Sequence, residues 1–325
     1  MSRGNIRYFL VFMVLIATAC QKDKTGFEFD TIVLPVQGKV RCIEPTSNGY
    51  VFAGGNVNAK GFVVESDKYL TQFNVRTESL PREVYDAKFI NGRWWFGLDS
   101  LQLIHSDSLQ VFYDYWWRET DWVSDLNKNP IRRLAQVGNE HFLIAGGKLA
   151  FGVVFHSSDS ANSWDEFEFE HEARGLCTAG DVSNWSAWVG GDGMLIKRSK
   201  GETKWTQQEV SRTFISDIYF ADLKTGWLVT YEGDVMKSVD GGESWETVCK
   251  SKTVRGANRI MSDGSNWMIV ANNGAFAHSP DGEKWMWYDF EDGLDLTDVV
   301  IDGDVCIISV QDQSIQRFSF SALKN

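Results

Sequence analysis

Six arginines recur along the chain at intervals close to forty residues. A guanidinium holds carboxylates and phosphates through paired, charge-assisted hydrogen bonds. If the fold brings these positions together, they form a cationic ring that suits an anionic ligand or an acidic segment of a partner. The members of this candidate site are Arg41, Arg82, Arg132, Arg174, Arg212 and Arg255, separated by 41, 50, 42, 38 and 43 residues.

The alternative is a structural role for the same arginines. Each would then pair with a neighbouring acid or donate to carbonyls between repeats, and the nearest acids are Glu44, Glu83, Asp86 and Asp217. The seventh repeat carries Asp295 in place of an arginine. A ring with fewer than about half of its arginines paired would remain open to a ligand. The extent of pairing therefore decides between the two interpretations.

A second candidate surface is an aromatic-rich segment at residues 113–122, where the spacing between repeats lengthens to about fifty residues. Exposed aromatic rings would form a sugar-stacking platform or a hot spot for a partner. The alternative is that they pack onto the neighbouring repeats. The candidate binding residues are Tyr115, Trp116, Trp117 and Trp122.

The elements that would position these residues are set by a turn motif of the form S-x-D-x-G-x-S-W. Asp accepts hydrogen bonds from successive backbone N–H groups, Gly supplies a positive φ, and Trp fills an apolar gap. These residues are therefore expected to be structural. The motif residues are Ser157, Asp159, Trp164, Ser238, Asp240, Gly242, Trp245, Ser279, Asp281 and Trp285. The aromatic that ends each copy recurs about every forty residues, a period typical of four-stranded propeller blades.

Seven short apolar runs, from YVFAGG to DVCIISV, each precede a turn and have further strand-like segments on both sides. The last unit has only three strands, and residues 29–35 supply an unmatched one near the N-terminus. Pairing that strand with the last unit would leave no open sheet edge. The sequence therefore predicts an all-β, seven-bladed β-propeller over residues 29–325, with its ring closed by the N-terminal strand.

These repeats resemble the Asp-box (bacterial neuraminidase) repeats of propellers related to photosystem II assembly factors. The resemblance covers nearly all of residues 29–325 and implies a protein-binding propeller. Such repeats also occur in sialidases, other glycoside hydrolases and sorting receptors, but the Arg-Ile-Pro marker of sialidases is absent early in this chain. We therefore expect a non-enzymatic binding or assembly scaffold, with a glycan-binding or sialidase-like hydrolytic propeller as the runner-up.

The N-terminus has the pattern of an export signal. Two arginines precede a short apolar run, and small residues precede Cys20, which resembles a bacterial lipobox. This predicts a signal peptide at residues 1–19, lipidation of Cys20, a tether at residues 20–28, and a lipoprotein at the outer membrane or cell surface. A plain signal peptide with a chance cysteine is the alternative.

Composition excludes several other classes. The formal net charge is −12, and removal of residues 1–19 takes away two arginines and no acid, which leaves −14. Such a charge argues against nucleic acid as a partner. The cysteines after residue 20 have no C-x-x-C spacing and the five histidines are scattered, so neither a metal nor a cofactor is expected. The expected partner of this monomer is a protein, an anionic group or a glycan.

Overall fold

The computed structural model describes residues 20–22, 27–56, 60–115, 129–146, 152–251, 256–290 and 293–324. In this part of the chain, 29 strands form seven antiparallel sheets, and the C-terminus adds a short 3₁₀ helix, Phe320–Lys324. The first strand of each sheet packs against the first strands of the two neighbouring sheets, and the seventh sheet meets the first. The seven-bladed, all-β propeller predicted from the sequence is confirmed.

The strands follow one another from the inside of each blade to the outside. Two strands precede the first blade: β1 Cys20–Lys22 and β2 Glu28–Val33. Blade one contains β3 Lys39–Pro45, β4 Gly49–Gly55, β5 Gly61–Asp67 and β6 Phe73–Leu80. Blade two contains β7 Val84–Ile90, β8 Arg93–Leu98, β9 Leu103–Ser106 and β10 Tyr113–Tyr115. Blade three contains β11 Ile131–Val137, β12 Glu140–Gly146, β13 Gly152–Ser157 and β14 Asp165–Phe169.

The remaining blades repeat this arrangement. Blade four contains β15 Ala173–Gly180, β16 Trp185–Gly191, β17 Met194–Ser199 and β18 Thr206–Glu209. Blade five contains β19 Ile215–Phe220, β20 Gly226–Thr230, β21 Val235–Ser238 and β22 Glu246–Cys249. Blade six contains β23 Ala257–Ser262, β24 Trp267–Ala271, β25 Ala275–Ser279 and β26 Met286–Asp289. Blade seven contains β27 Leu296–Asp302, β28 Val305–Val310 and β29 Ser314–Ser319.

The second strand of each blade is buried along most or all of its length, because both of its faces lie against neighbouring blades. In β4, β12 and β16 every residue is buried. A strand buried on both faces reads as a continuous apolar run rather than as an alternating pattern. This explains why runs such as YVFAGG and SAWVGG mark the centre of each repeat.

The N-terminal strand closes the ring, as predicted. Strand β2 pairs antiparallel with β29, with Asp30 opposite Arg317, and so becomes the fourth strand of blade seven. The two side chains form an ion pair of 2.6 Å. Phe27 is 2% exposed, and its ring lies 5.5 Å from those of Phe276 and Phe318. The buried structure therefore begins within the segment predicted to be the tether.

The S-x-D turns join the third and fourth strands of their blades and are internally hydrogen-bonded. Asp240 Oδ1 accepts from the backbone N–H of Ser244 at 2.9 Å, and Ser238 Oγ accepts from that of Gly242, whose φ is +92°. Hydrogen bonds from Ser244 and Ser238 lower the pKa of Asp240 to about 2. Trp188, in blade four, donates to the Gly241 carbonyl at 2.9 Å. This bond ties the turn to the preceding blade.

The turns in blades three and six follow the same pattern. Asp159 accepts from the backbone N–H of Ser163 at 2.8 Å, and Asp281 accepts from that of Lys284 at 2.8 Å. Trp227 Nε1 donates to the carbonyl of Gly282 at 2.9 Å, again from the preceding blade. Each described turn therefore uses its carboxylate to hold its own backbone amides.

Two further observations concern the cysteines and the helices of the described residues. Cys42, Cys177, Cys249 and Cys306 are free thiols, and Cys42 and Cys306 are buried. Within the ranges that the structure describes, no helix is long and apolar enough to cross a membrane.

Candidate ligand-binding channel

A β-bulge near the start of each innermost strand directs one side chain per blade toward the central channel. The register shifts at equivalent positions in β3, β7, β11, β15, β19, β23 and β27. A bulge leaves one residue out of the ladder and changes the direction of its side chain. These seven residues, which we call the bulge ring, are Arg41, Tyr85, Arg132, Arg174, Ser216, Asn258 and Thr297.

The bulge ring surrounds a cavity of about 210 Å³ at one end of the channel, which we call the bulge mouth. Arg133 reaches the cavity from the residue after the bulge in blade three. The other lining residues, Asn272, Asp295 and Gln311 among them, come from blades six and seven. The mouth is therefore lined almost entirely by polar and charged side chains.

Two buried glutamates hold the three arginines of the bulge ring. Arg41 Nε donates to Glu83 at 2.7 Å, and Glu83 is 2% exposed. Glu172 accepts from Arg174 Nε at 3.0 Å and from Arg132 Nη2 at 3.3 Å. Since three arginines share two glutamates, this group of five side chains carries a net charge of +1.

The arginines are partly exposed to the channel and are also packed against aromatic rings or backbone. Their side chains are 21%, 26% and 29% exposed for Arg41, Arg132 and Arg174. Arg41 lies 5.1 Å from the centre of the Tyr85 ring, and Arg174 lies 4.8 Å from that of Phe214. Burial lowers the pKa of Arg132 to about 10, so it remains charged at neutral pH. The three guanidiniums are thus fixed in place before any ligand binds.

The charge around the bulge mouth is asymmetric. Blades one, three and four supply the arginines, whereas blades five to seven supply Ser216, Asn258 and Thr297. Asp295 accepts from the backbone N–H of Asn273 at 3.1 Å. It also accepts from Gln311 at 2.9 Å when that amide has the orientation that satisfies both of its neighbours. One half of the mouth is cationic, and the other half offers hydrogen-bonding groups.

The residue after each bulge lies deeper in the channel and contributes to a second layer. We call this the charge layer; it contains Asp86, Arg133, Asp217, Arg259 and Asp298, with Cys42 and Gly175 at the two remaining positions. Three of its carboxylates accept from the backbone N–H of the next blade. These bonds are Asp86 to Leu134 at 2.8 Å, Asp217 to Ile260 at 3.1 Å, and Asp298 to Ile43 at 2.9 Å.

Ion pairs connect the arginines and carboxylates of the charge layer. Arg259 Nε lies 2.9 Å from Asp298 and 3.7 Å from Asp217. Burial alone would lower the pKa of Arg259, but the two carboxylates outweigh it and raise the pKa. Burial raises the pKa of Asp217 despite the nearby Arg259 and Arg133. The layer separates the bulge mouth from a second cavity of about 330 Å³ farther along the inner strands, and Arg133 lines both.

The structure brings together three of the six arginines singled out in the sequence. Arg41, Arg132 and Arg174 lie at the bulge mouth, and each is paired with Glu83 or Glu172. The pairing expected for a structural role is therefore present, and what remains for a ligand is the one positive charge that two glutamates leave uncompensated among three arginines. Arg82 and Arg212 are exposed, precede β7 and β19, and do not line the cavity. Arg255 lies outside the described residues. In blades two, five and six the bulge positions are taken by Tyr85, Ser216 and Asn258 instead.

Sequence reasoning missed Arg133 and Glu172, although it named Glu83 as a possible partner. Arg133 directly follows Arg132, and Glu172 stands two residues before Arg174. A signal was present, since an acid also stands shortly before the inner strand of blade two as Glu83. The pairing of Glu172 with Arg132 joins blades three and four and is not visible from spacing alone.

The aromatic segment is described only at its start. The Tyr115 hydroxyl donates to the Ala161 carbonyl in blade three, and its ring meets Trp95 edge-on at 5.3 Å. At this residue the observed contacts are packing between blades two and three. Trp116, Trp117 and Trp122 lie outside the described residues.

Comparisons with known proteins identify the fold. A scan against protein-family models and a search of curated proteins found no match to this sequence. Among solved structures, YCF48 bound to a D1 peptide is 16% identical with a TM-score of 0.67, covering 90% of this chain and 95% of that one. YCF48 from Cyanidioschyzon merolae is 14% identical with a TM-score of 0.64, covering 90% and 98%.

An enzyme shares the same architecture. A catalytically inactive virginiamycin B lyase from Staphylococcus aureus, solved with quinupristin, is 10% identical with a TM-score of 0.69, covering 90% of this chain and 99% of that one. Similar folds therefore serve both a peptide-bound protein and a lyase. At these identities the likeness shows that the chain is a β-propeller similar to YCF48. It does not identify a ligand for this chain.

Proposed function

We propose that this propeller is a non-enzymatic binding protein that captures an acidic segment of a protein partner at the bulge mouth. The observation that carries the proposal is the convergence of Arg41, Arg132 and Arg174 on one cavity, with a net positive charge on a protein whose overall charge is −12. Such a local reversal of charge attracts and orients an anionic partner.

The half of the mouth that holds Ser216, Asn258 and Thr297, and also Asp295, supports a peptide as the ligand. A carboxylate bound by the arginines would place its flanking amides beside Ser216, Asn258 and Thr297, whose side chains can donate and accept hydrogen bonds. Arg133 Nη2 already donates to the Asn258 carbonyl at 3.4 Å, across the channel. A similar propeller has been solved with a peptide bound. These features together favour a peptide over an isolated inorganic anion.

The runner-up is a glycan-binding or sialidase-like hydrolytic propeller, and its hydrolytic form requires a tyrosine nucleophile activated by a glutamate and a separate proton donor. Tyr85 and Glu83 both lie near the arginines, but Glu83 is engaged by Arg41. Burial and Glu83 raise the pKa of Tyr85 to about 12, which is the opposite of activation. Asp295 is held by the Asn273 amide. The arrangement therefore favours binding of an anion over cleavage of a glycoside.

The test is binding of a fluorescent oligoglutamate peptide to an Arg41→Gln/Arg174→Gln double variant. Glutamine keeps a hydrogen-bond donor near each glutamate but removes the charge. We expect a loss of affinity of roughly tenfold or more and a weaker dependence on salt, because two charge-assisted contacts are removed. The matched control is Arg82→Gln/Arg212→Gln, which changes the net charge equally at exposed positions away from the cavity.

The outcomes separate the two functions. Equal losses in the two double variants would show that only net charge matters and would contradict the proposed site. Binding of sialyllactose, with release of sialic acid, that is lost in the Arg41→Gln/Arg174→Gln variant would favour the runner-up. An oligoglutamine peptide should bind neither protein measurably.

We also propose that the protein is exported and anchored through a lipid on Cys20, at the outer membrane or cell surface. The support is the apolar run and the lipobox-like residues before Cys20. One acyl chain binds membranes only weakly, whereas the multiple chains of a lipoprotein anchor it stably. Cys20→Ser should move the protein from the membrane fraction to the soluble fraction. Retention of this variant in the membrane fraction would contradict the anchor.

A further inference from the structure

The second cavity, at the end of the channel opposite the bulge mouth, differs from it in chemistry. We call it the apolar mouth. Its walls come from five inner strands and are divided about equally between apolar and polar side chains, and Phe89, on its rim, is 50% exposed. The apolar wall residues from β11, β15, β19 and β23 include Leu134, Leu176, Ile218, Ile260 and Met261.

Two buried polar atoms at the floor of this cavity have no hydrogen-bond partner. They are Asp217 Oδ1 and Arg133 Nε, and both residues line the cavity. The Asp217 side chain is 2% exposed, and its other oxygen is engaged by the Ile260 amide. The two unpartnered atoms lie 3.9 Å apart, which is too far for a hydrogen bond between them.

The geometry points to a second ligand site, and we propose that the apolar mouth binds a neutral amphipathic molecule with a hydroxyl or primary amide head. A hydroxyl oxygen about 2.8 Å from each atom would accept from Arg133 Nε and donate to Asp217 Oδ1. A primary amide would accept through its oxygen and donate through its N–H. The aliphatic body would lie against Leu134, Leu176 and Ile218. This site is separate from the bulge mouth and goes beyond the function proposed for it.

The charges at the floor select against an ionised head group. A carboxylate would face Asp217 Oδ1, and an ammonium would face Arg133 and Arg259, which all line the same cavity. Lys88 also lines it and is already held by Glu44. A group that donates once and accepts once satisfies both free atoms without adding charge. Among small polar groups, hydroxyls and primary amides have this property.

The experiment compares four six-carbon probes by saturation-transfer NMR: hexan-1-ol, hexanamide, hexanoate and hexylammonium. We expect the two neutral probes to bind about tenfold more tightly than either ion, because the ions leave a buried group unpaired or repelled. Equal binding of all four would reduce the site to an unselective apolar surface. Absence of binding for all four would mean that internal water satisfies the two atoms. Either result would overturn the proposal.

Two variants locate the site. Ala135 lines the cavity without belonging to the charge layer, and Ala135→Phe should fill the space and abolish binding of hexan-1-ol. Its oligoglutamate binding should stay unchanged, which confirms that the fold is intact. Asp217→Asn replaces the free acceptor with a donor, so the preference should shift toward hexanoate. Unchanged probe binding in a folded Ala135→Phe protein would contradict the site, even if Asp217→Asn does not fold.

Discussion

The two ends of the central channel are built by the same set of inner strands but differ in their share of apolar side chains. At the bulge mouth the ladder is interrupted in every blade, and the side chains released there are mostly polar or charged. Farther along the same strands the ladder is regular, and aliphatic residues such as Leu134 and Ile260 line the cavity. The interruption of pairing, repeated seven times, is therefore what gathers Arg41, Arg132 and Arg174 at one end.

The charge layer keeps the two ends apart. Its carboxylates bind backbone amides of the next blade as well as Arg259. A cluster of buried charges is tolerated only when it is paired and hydrogen-bonded. The difference between the mouths is thus maintained by a structural layer and not by distance alone.

The largest effect is expected from opening the ring, because both mouths exist only while the ring is closed. Deletion of residues 29–37 removes most of β2 and exposes the edge of β29. We expect loss of the single cooperative unfolding transition and aggregation. Thermal unfolding followed by circular dichroism measures this. Deletion of residues 20–26 is the control, since it spares buried Phe27 and should leave the transition in place.

The second largest effect should come from Asp298→Ala in the charge layer. It removes the acceptor of the Ile43 amide and the closer partner of Arg259. Loss of one partner of a buried ion pair costs about 3–5 kcal/mol of unfolding free energy. Asp302→Ala is the control: it breaks the bond from the Tyr50 hydroxyl near the rim and should cost about 1 kcal/mol in urea unfolding. Similar losses of unfolding free energy in both variants would show that the charge layer contributes no more to stability than a single hydrogen bond at the rim.

The sequence predicted the strands and the closure of the ring because both follow from apolar runs repeated at a near-constant period. It predicted Arg41, Arg132 and Arg174 because these directly follow a buried apolar residue at the start of a strand. It misplaced Arg82 and Arg212, which stand three and four residues before the bulge positions. The connection between blades varies in length, so an approximate period cannot fix which residue of a bulge faces the channel.

The apolar mouth had no counterpart in the sequence prediction. Asp217 was named only as a possible partner for the arginines, and it does lie near Arg133 and Arg259. Asp217 Oδ1 has no hydrogen-bond partner because Arg133 Nε, in another blade, lies a few tenths of an ångström beyond hydrogen-bond distance. A spacing pattern along one chain carries no information of that kind.

A smaller effect is expected from Glu172→Gln, which sharpens the charge difference between the mouths. The substitution leaves Arg132 and Arg174 without their shared carboxylate. We expect a loss of about 1–2 kcal/mol in stability, since hydrogen bonds remain but the charge does not. Binding of oligoglutamate should strengthen and become more sensitive to salt. Weaker binding would indicate that Glu172 serves to orient the arginines rather than to restrain their charge.

The smallest effect concerns acid and compares the channel with the turns outside it. The folded pKa of Asp240 is lowered to about 2, so the stability from its turn is present above the usual aspartate pKa and is lost as pH falls toward 2. Burial raises the pKa of Asp217, so its protonation does not add to this loss. Carboxyl ¹³C NMR should show Asp240 titrating well below Asp217. Asp240→Asn should flatten the fall in stability between pH 4 and pH 2; an unchanged slope would locate the acid sensitivity elsewhere.

The pairing of β2 with β29 also sets the order in which the molecule can be completed. Asp30 and Arg317 lie near opposite ends of the chain, yet they are neighbours in one sheet. A ribosome makes β2 before blades one to six and β29 after them, so the seventh blade cannot form until those six blades have been synthesised. Until β29 is made, the ring stays open and two sheet edges remain exposed. Closure of the ring therefore cannot precede the synthesis of the six other blades.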